Sequence, residues 1–187
     1  EARSFLEESL SISREEGDAA SAAIALHNLG NNAAHQREYA TARALFKEAL
    51  AIRRDLRNHR GIASTLTCLA LVASSQGEIE TARTLYEESL AMAEELSDVR
   101  QTAITLQNLG ALLRGQGELV EARALLEQSL ALCRDLGSRP AITSCLDGLA
   151  LITHEQADHD ATWALRIERL QILRDLGEGT AAARSLE

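Results

Sequence analysis

Leu26-His27-Asn28-Leu29-Gly30 returns as Leu66-Thr67-Cys68-Leu69-Ala70, as Leu106-Gln107-Asn108-Leu109-Gly110 and as Leu146-Asp147-Gly148-Leu149-Ala150, each time forty residues on. Leu45, Leu85, Leu125 and Leu165 keep the same interval, as do Leu50, Leu90, Leu130 and Leu170. A gapless period of this length marks a supersecondary unit that cannot bury its apolar face alone, so the units must stack. Inside one unit the apolar residues recur three and four apart, the helical interval. Ala22, Leu26, Leu29 and Ala33 form one stripe; Ala42, Leu45, Phe46, Ala49 and Leu50 form another. Each unit therefore reads as a helical hairpin. The chain reads as all-α, a right-handed α-solenoid of stacked antiparallel helix hairpins.

Punctuation places the helices. Asp18, Asn58, Asp98 and Ser138 share a register position and suit the N-cap of each first helix. Gly17, Gly77, Gly117, Gly137 and Gly177 suit C-terminal caps, and Pro140 suits a first turn. The expected spans are 18–36, 38–56, 58–76, 78–96, 98–116, 118–136, 139–156 and 158–176. Residues 1–17 would be the second helix of a truncated repeat, 18–57, 58–97, 98–137 and 138–177 full repeats, and 178–187 a terminal partial helix, all in one array. The chain opens midway through a repeat and lacks an initiator Met, so it reads as a piece of a longer protein. Gly30, Ala70, Gly110 and Ala150 face Ala42, Ala82 and Ala122 as the small residues of the hairpin seam, where bulk would overpack.

Composition excludes several classes. A net charge of −9 argues against a phosphate-backbone partner. No apolar run approaches the roughly 20 residues that span a bilayer. Cys68, Cys133 and Cys145 are odd in number and lack CxxC spacing, as expected of reduced thiols in a cytoplasmic protein. Lys47 is the sole lysine, an arginine bias common in bacterial proteins. No P-loop, H-E-x-x-H, G-x-S-x-G or G-x-G-x-x-G is present, so no enzyme, cofactor or metal is expected. The densest run of ligand types, His154-Glu155-Gln156-Ala157-Asp158-His159-Asp160, occupies a turn slot and reads as a solvated turn.

Leu26-x2-Leu29-Gly30-x2-Ala33 with Ala42-x3-Phe46, and Leu106-x2-Leu109-Gly110 with Ala122-x3-Leu126, resemble the tetratricopeptide repeat. The resemblance covers essentially the whole chain. Leu stands for the family's Trp, small residues stand for its first Tyr, and six extra residues lengthen the helices. This is similar to the longer subclass of scaffolding adaptors and of the C-terminal arrays of bacterial signalling ATPases and regulators.

The resemblance implies a concave groove along the first helices that holds a partner peptide or helix. Carried over residue by residue, the groove would present His27, Asn28, Asn31, His35, Thr67, Leu71, Gln107, Asn108, Arg114, Asp147 and Leu151. Ile24 and Ile104 fall on the same helix faces. Asn28 and Asn108 would bond a peptide backbone, Arg114 would take an acidic group, and Leu71 and Leu151 would make apolar contacts. The partner class is then a protein or peptide, with neither nucleic acid nor membrane. A sensor segment of a larger signalling protein, or a scaffold self-associating through its ends, are the alternatives. In the last repeat Thr162-Trp163, Arg166 and Arg169 break the pattern, as a terminal repeat facing water does.

Overall fold

The computed structural model describes residues 2–175 and Gly177. Among these every regular element is an α-helix: α1 Ala2–Glu15, α2 Ala19–His35, α3 Tyr39–Asp55, α4 His59–Ser75, α5 Ile79–Glu95, α6 Val99–Gly115, α7 Leu119–Asp135, α8 Arg139–Glu155 and α9 His159–Asp175. The fold is an all-α helical repeat solenoid. The partial helix expected over 178–187 lies outside the described residues. Among the described residues no helix is long and apolar enough to cross a membrane.

From α2 onward each helix has 17 residues and begins twenty after the previous one. The backbone period is therefore half the sequence period. One turn serves every junction: positions 17, 37, 57, 77, 97, 117, 137, 157 and 177 all take positive φ, between 51° and 81°. At Arg37 the paired closure of such a C-cap is complete, with the Arg37 amide donating to Ala34 O at 2.9 Å and the Glu38 amide to Ala33 O at 2.9 Å. Glycine meets that conformation at five of the nine positions; Arg37, Arg57, Ser97 and Ala157 hold it at a steric cost. Ala157→Gly and Ser97→Gly should each raise stability by about 0.5–1 kcal/mol, read as a higher denaturant midpoint at unchanged slope.

The N-caps form as expected at Asp18, Asn58 and Asp98, whose side chains accept from the Ser21, Gly61 and Gln101 amides at 3.0, 2.9 and 3.1 Å. Ser138 makes no side-chain cap bond, and the nearby Pro140 offers no amide of its own. The glutamates opening the second helices do not cap either. Glu38 and Glu78 turn to arginines of the preceding second helix, Arg3 at 3.4 Å and Arg43 at 2.8 Å.

Contacts divide the chain into two compact units, 1–101 and 102–187, with the division falling inside α6. In the first unit α2 packs on α3 and α4 on α5, while α1 packs on α2 and α3 on α4. Its core has two clusters, one with Leu10, Leu26 and Leu29, the other with Phe46, Leu50, Leu66, Leu69 and Val72. A Cβ on Gly30 would stand 2.6 Å from Phe46 Cε1, so the glycine makes room for the ring. In the second unit Leu106, Leu113, Leu126, Leu146 and Ile152 are buried. There a Cβ on Gly110 would come within 2.9 Å of Leu126 Cγ and 3.2 Å of the Ala122 carbonyl. The seam of small residues is real in both units.

Serines anchor the second helices to the first. Ser89 Oγ donates to Ala63 O in the first unit and Ser129 Oγ to Ala103 O in the second, both at 2.8 Å and fully buried. Buried hydroxyls satisfied in this way cost little and fix the register of one helix on the other.

Candidate partner-binding surfaces

In the first unit the surface is built by α2 and α4, whose outward residues lie off the leucine stripe. Asn28, His35 and Leu71 are exposed, and the side chains of Asn28 and His35 have no hydrogen-bond partner among the described residues. Ile24 is 55% exposed and Leu71 49%. Thr67 is different. It is buried, its hydroxyl lies 2.8 Å from Ser89 Oγ and accepts from Gln101 Nε2 at 2.8 Å, so it joins helices rather than meeting a partner.

His27 and Asn31 are half-buried in a polar chain whose source is Arg53, at the end of α3. Arg53 occupies the register of Ser13, Ala93, Cys133 and Leu173, a packing slot, and is only 7% exposed. Its Nη1 donates to Gly61 O at 2.8 Å, to Thr65 Oγ1 and to His27 Nδ1 at 3.2 Å. Gly61 leaves the space, since a Cβ there would sit 2.8 Å from Arg53 Cδ. Because Nδ1 accepts, the His27 proton resides on Nε2, which faces Cys68 Sγ at 3.9 Å; the thiol in turn donates to Asn31 Oδ1 at 3.6 Å. No carboxylate among the described residues pairs with Arg53.

The electrostatics follow from burial. Desolvation, then the Arg53 charge, depress the His27 pKa to about 4, so the imidazole is neutral at pH 7. Burial raises the Cys68 thiol to about 11 against the pull of Arg53, so it stays protonated. Burial also lowers the Arg53 pKa, with Cys68 opposing. Three neutral acceptors thus hold one cation.

In the second unit α6 and α8 build the corresponding surface. Ile104 is 42% exposed and Leu151 37%. Asn108 is half-buried and its side chain makes no hydrogen bond among the described residues. Gln107 spans the helices, its Nε2 donating to Ser144 Oγ at 2.7 Å while its Oε1 accepts from Cys145 at 3.7 Å. Arg114 is already engaged, donating through Nη1 to Glu155 Oε1 at 2.7 Å. Asp147 lies 3.6 Å from Arg169 Nε, a buried nitrogen with no hydrogen-bond partner among the described residues. Trp163 is half-exposed.

Of the eleven residues expected at the groove, five stand open: Asn28, His35, Leu71, Asn108 and Leu151. Thr67, His27, Asn31, Gln107, Arg114 and Asp147 have partners within the protein. Arg53 lies on a second helix, outside the first-helix faces to which the repeat resemblance assigns a groove. The signal was there, a charge at a core register with a glycine eight residues on. In the turn after α8, Asp158 caps α9 by accepting from the Ala161 amide at 3.0 Å, and Glu155 takes Arg114. Among the described residues no three His, Cys, Asp or Glu side chains are placed to hold a metal ion, and the three cysteines are free thiols.

The tetratricopeptide repeat pattern matches residues 1–55, 61–135 and 101–161. No protein with a curated description matches the sequence. Among solved structures, BtubC (BKLC) from P. vanneervenii superimposes with a TM-score of 0.83 at 18% identity, covering 95% of this chain and 74% of that one. Aspartyl phosphate phosphatase F from Bacillus subtilis gives 0.81 at 12%, covering 87% and 43%. A Rap protein complexed with Competence and Sporulation Factor gives 0.72 at 14%, covering 98% and 56%. At these identities the likeness is one of fold.

Proposed function

The chain belongs to the tetratricopeptide repeat family, and on that footing we propose that it is a non-enzymatic binding module whose first helices hold a peptide or helix of a partner protein. The observation that carries this is a pairing present in both units. An exposed Ile and an exposed Leu, Ile24 with Leu71 and Ile104 with Leu151, share their helix faces with Asn28 and Asn108, whose side chains are free. Aliphatic side chains left in water beside unspent amides suit a partner that offers both apolar side chains and backbone groups. Arg53 adds an uncompensated cation beneath His27, which favours an acidic residue in the bound segment. A structural neighbour solved with the Competence and Sporulation Factor supports a binding role for the fold. The three free thiols support a reducing, cytoplasmic setting.

The test is a peptide-display selection against the whole chain, followed by calorimetry on two double variants. Asn28→Ala with Leu71→Ala, and Asn108→Ala with Leu151→Ala, each remove one amide and one exposed leucine. A recognition hydrogen bond is worth about 1–3 kcal/mol, so affinity should fall about tenfold or more while the melting curve hardly moves. Selected peptides that bind both variants as tightly as the parent chain would remove the first helices from the proposal and favour self-association through the ends.

A further inference from the structure

The second helices of the first unit enclose a cleft of 440 Å³ that the surfaces above do not use. Leu66 and Leu69 of α4 form its floor, and Leu50 of α3 and Leu85 of α5 its walls. Its rim carries Arg43, Lys47 and Arg54 against a single carboxylate, Glu88, in a chain whose net charge is −9.

The rim cations are not equally occupied. Arg43 bonds Glu78 at 2.8 Å and Gln76 at 2.5 Å, and Arg54 reaches Glu88 only at 3.4 Å. Lys47 makes no hydrogen bond or ion pair among the described residues. Its register explains why. Arg3 pairs with Glu7, Arg83 with Glu87 and Arg123 with Glu127, one helical turn on, at 3.0, 3.4 and 2.8 Å. In this repeat alone of those four, a lysine replaces the glutamate and sets two like charges one turn apart, an arrangement that costs a few tenths of a kcal/mol. One repeat earlier the equivalent surface is divided in two, a cleft of 200 Å³ along Arg3, Leu29 and Leu45 and one of 480 Å³ along Leu10, Ser11 and Arg14, and Glu7 lines both.

We propose that the cleft between α3 and α5 binds a small amphipathic carboxylate. Its apolar body lies on Leu66 and Leu69 between Leu50 and Leu85, and its carboxylate sits on the Lys47 ammonium with Arg54 as a second donor. Volume and lining fit a small-molecule site, apolar with a few convergent polar groups. Charge complementarity selects the head group, because an anion relieves the Arg43–Lys47 repulsion that the other repeats settle with a glutamate. This site stands apart from the peptide-binding reading and does not depend on it.

The experiment titrates decanoate into the whole chain, followed by calorimetry and by backbone amide shifts at α3 and α5. Saturable one-to-one binding is expected, with decanol at least tenfold weaker. Lys47→Glu restores the arginine–glutamate pair of the neighbouring repeats, so it should fold normally and lose decanoate binding at least tenfold; Lys47→Arg should retain it. Absence of saturable decanoate binding to the parent chain, equal affinity for decanol, or undiminished binding by a folded Lys47→Glu protein would each overturn the proposal.

Discussion

Replacing Phe46 by alanine should destabilise the first unit by about 3–5 kcal/mol, the range for deleting a buried aromatic side chain. The ring is 1% exposed and packs against the seam glycine of α2. Gly30 has no side chain to move into the void, and Ala42, in the same core cluster as Phe46, is already fully buried. The His27 ring, tilted 60° at a centroid distance of 5.4 Å, would also lose its partner. Ser75→Ala, on an exposed position, should stay within about 0.5 kcal/mol. Urea titrations of the two variants measure the contrast, and similar midpoints would mean that the Gly30–Phe46 seam does not hold the hairpin.

Lowering the pH should destabilise the chain through His27. Its pKa is near 6.5 when unfolded and about 4 when folded. Between those values the unfolded state binds a proton that the folded state refuses. The stability is therefore complete above pH 6.5, is lost as pH falls from 6.5 toward 4, and levels off below. The slope is about 1.4 kcal/mol per pH unit, or about 2 kcal/mol between pH 7 and pH 5. Protonation would also turn Nδ1 from an acceptor into a donor facing Arg53, breaking the chain through Cys68 to Asn31. His27→Gln removes the titrating group, so its stability should change less across that interval by about the same 2 kcal/mol. Parallel pH profiles for parent and variant would show that the imidazole is solvated in the folded protein.

The helices and their core faces were readable because the signals repeat and are local. Leu26, Leu66, Leu106 and Leu146 are all at most 3% exposed, as a stripe on one helix face must be. The turn that recurs every twenty residues was half hidden, because Arg37, Arg57, Ser97 and Ala157 carry no glycine signature where the backbone still turns left-handed. The surface residues were readable only as positions. Thr67 and Leu71 lie one turn apart on α4, yet one is buried and the other open. That difference comes from what α5 and α6 bring against them, Ser89 and Gln101.

By itself the sequence determined the all-α repeat fold, the helix positions and the small residues of the seam, since periodicity, capping and volume act through neighbours along the chain or one helix away. Tertiary structure alone decided which polar side chains remain free. Arg114 meets Glu155 forty-one residues on, Asp147 meets Arg169, and Arg53 enters from a second helix to hold His27. Whether a side chain is spent within the protein or left for a partner depends on groups far away in sequence whose approach is set by helix packing, and no local pattern encodes that pairing.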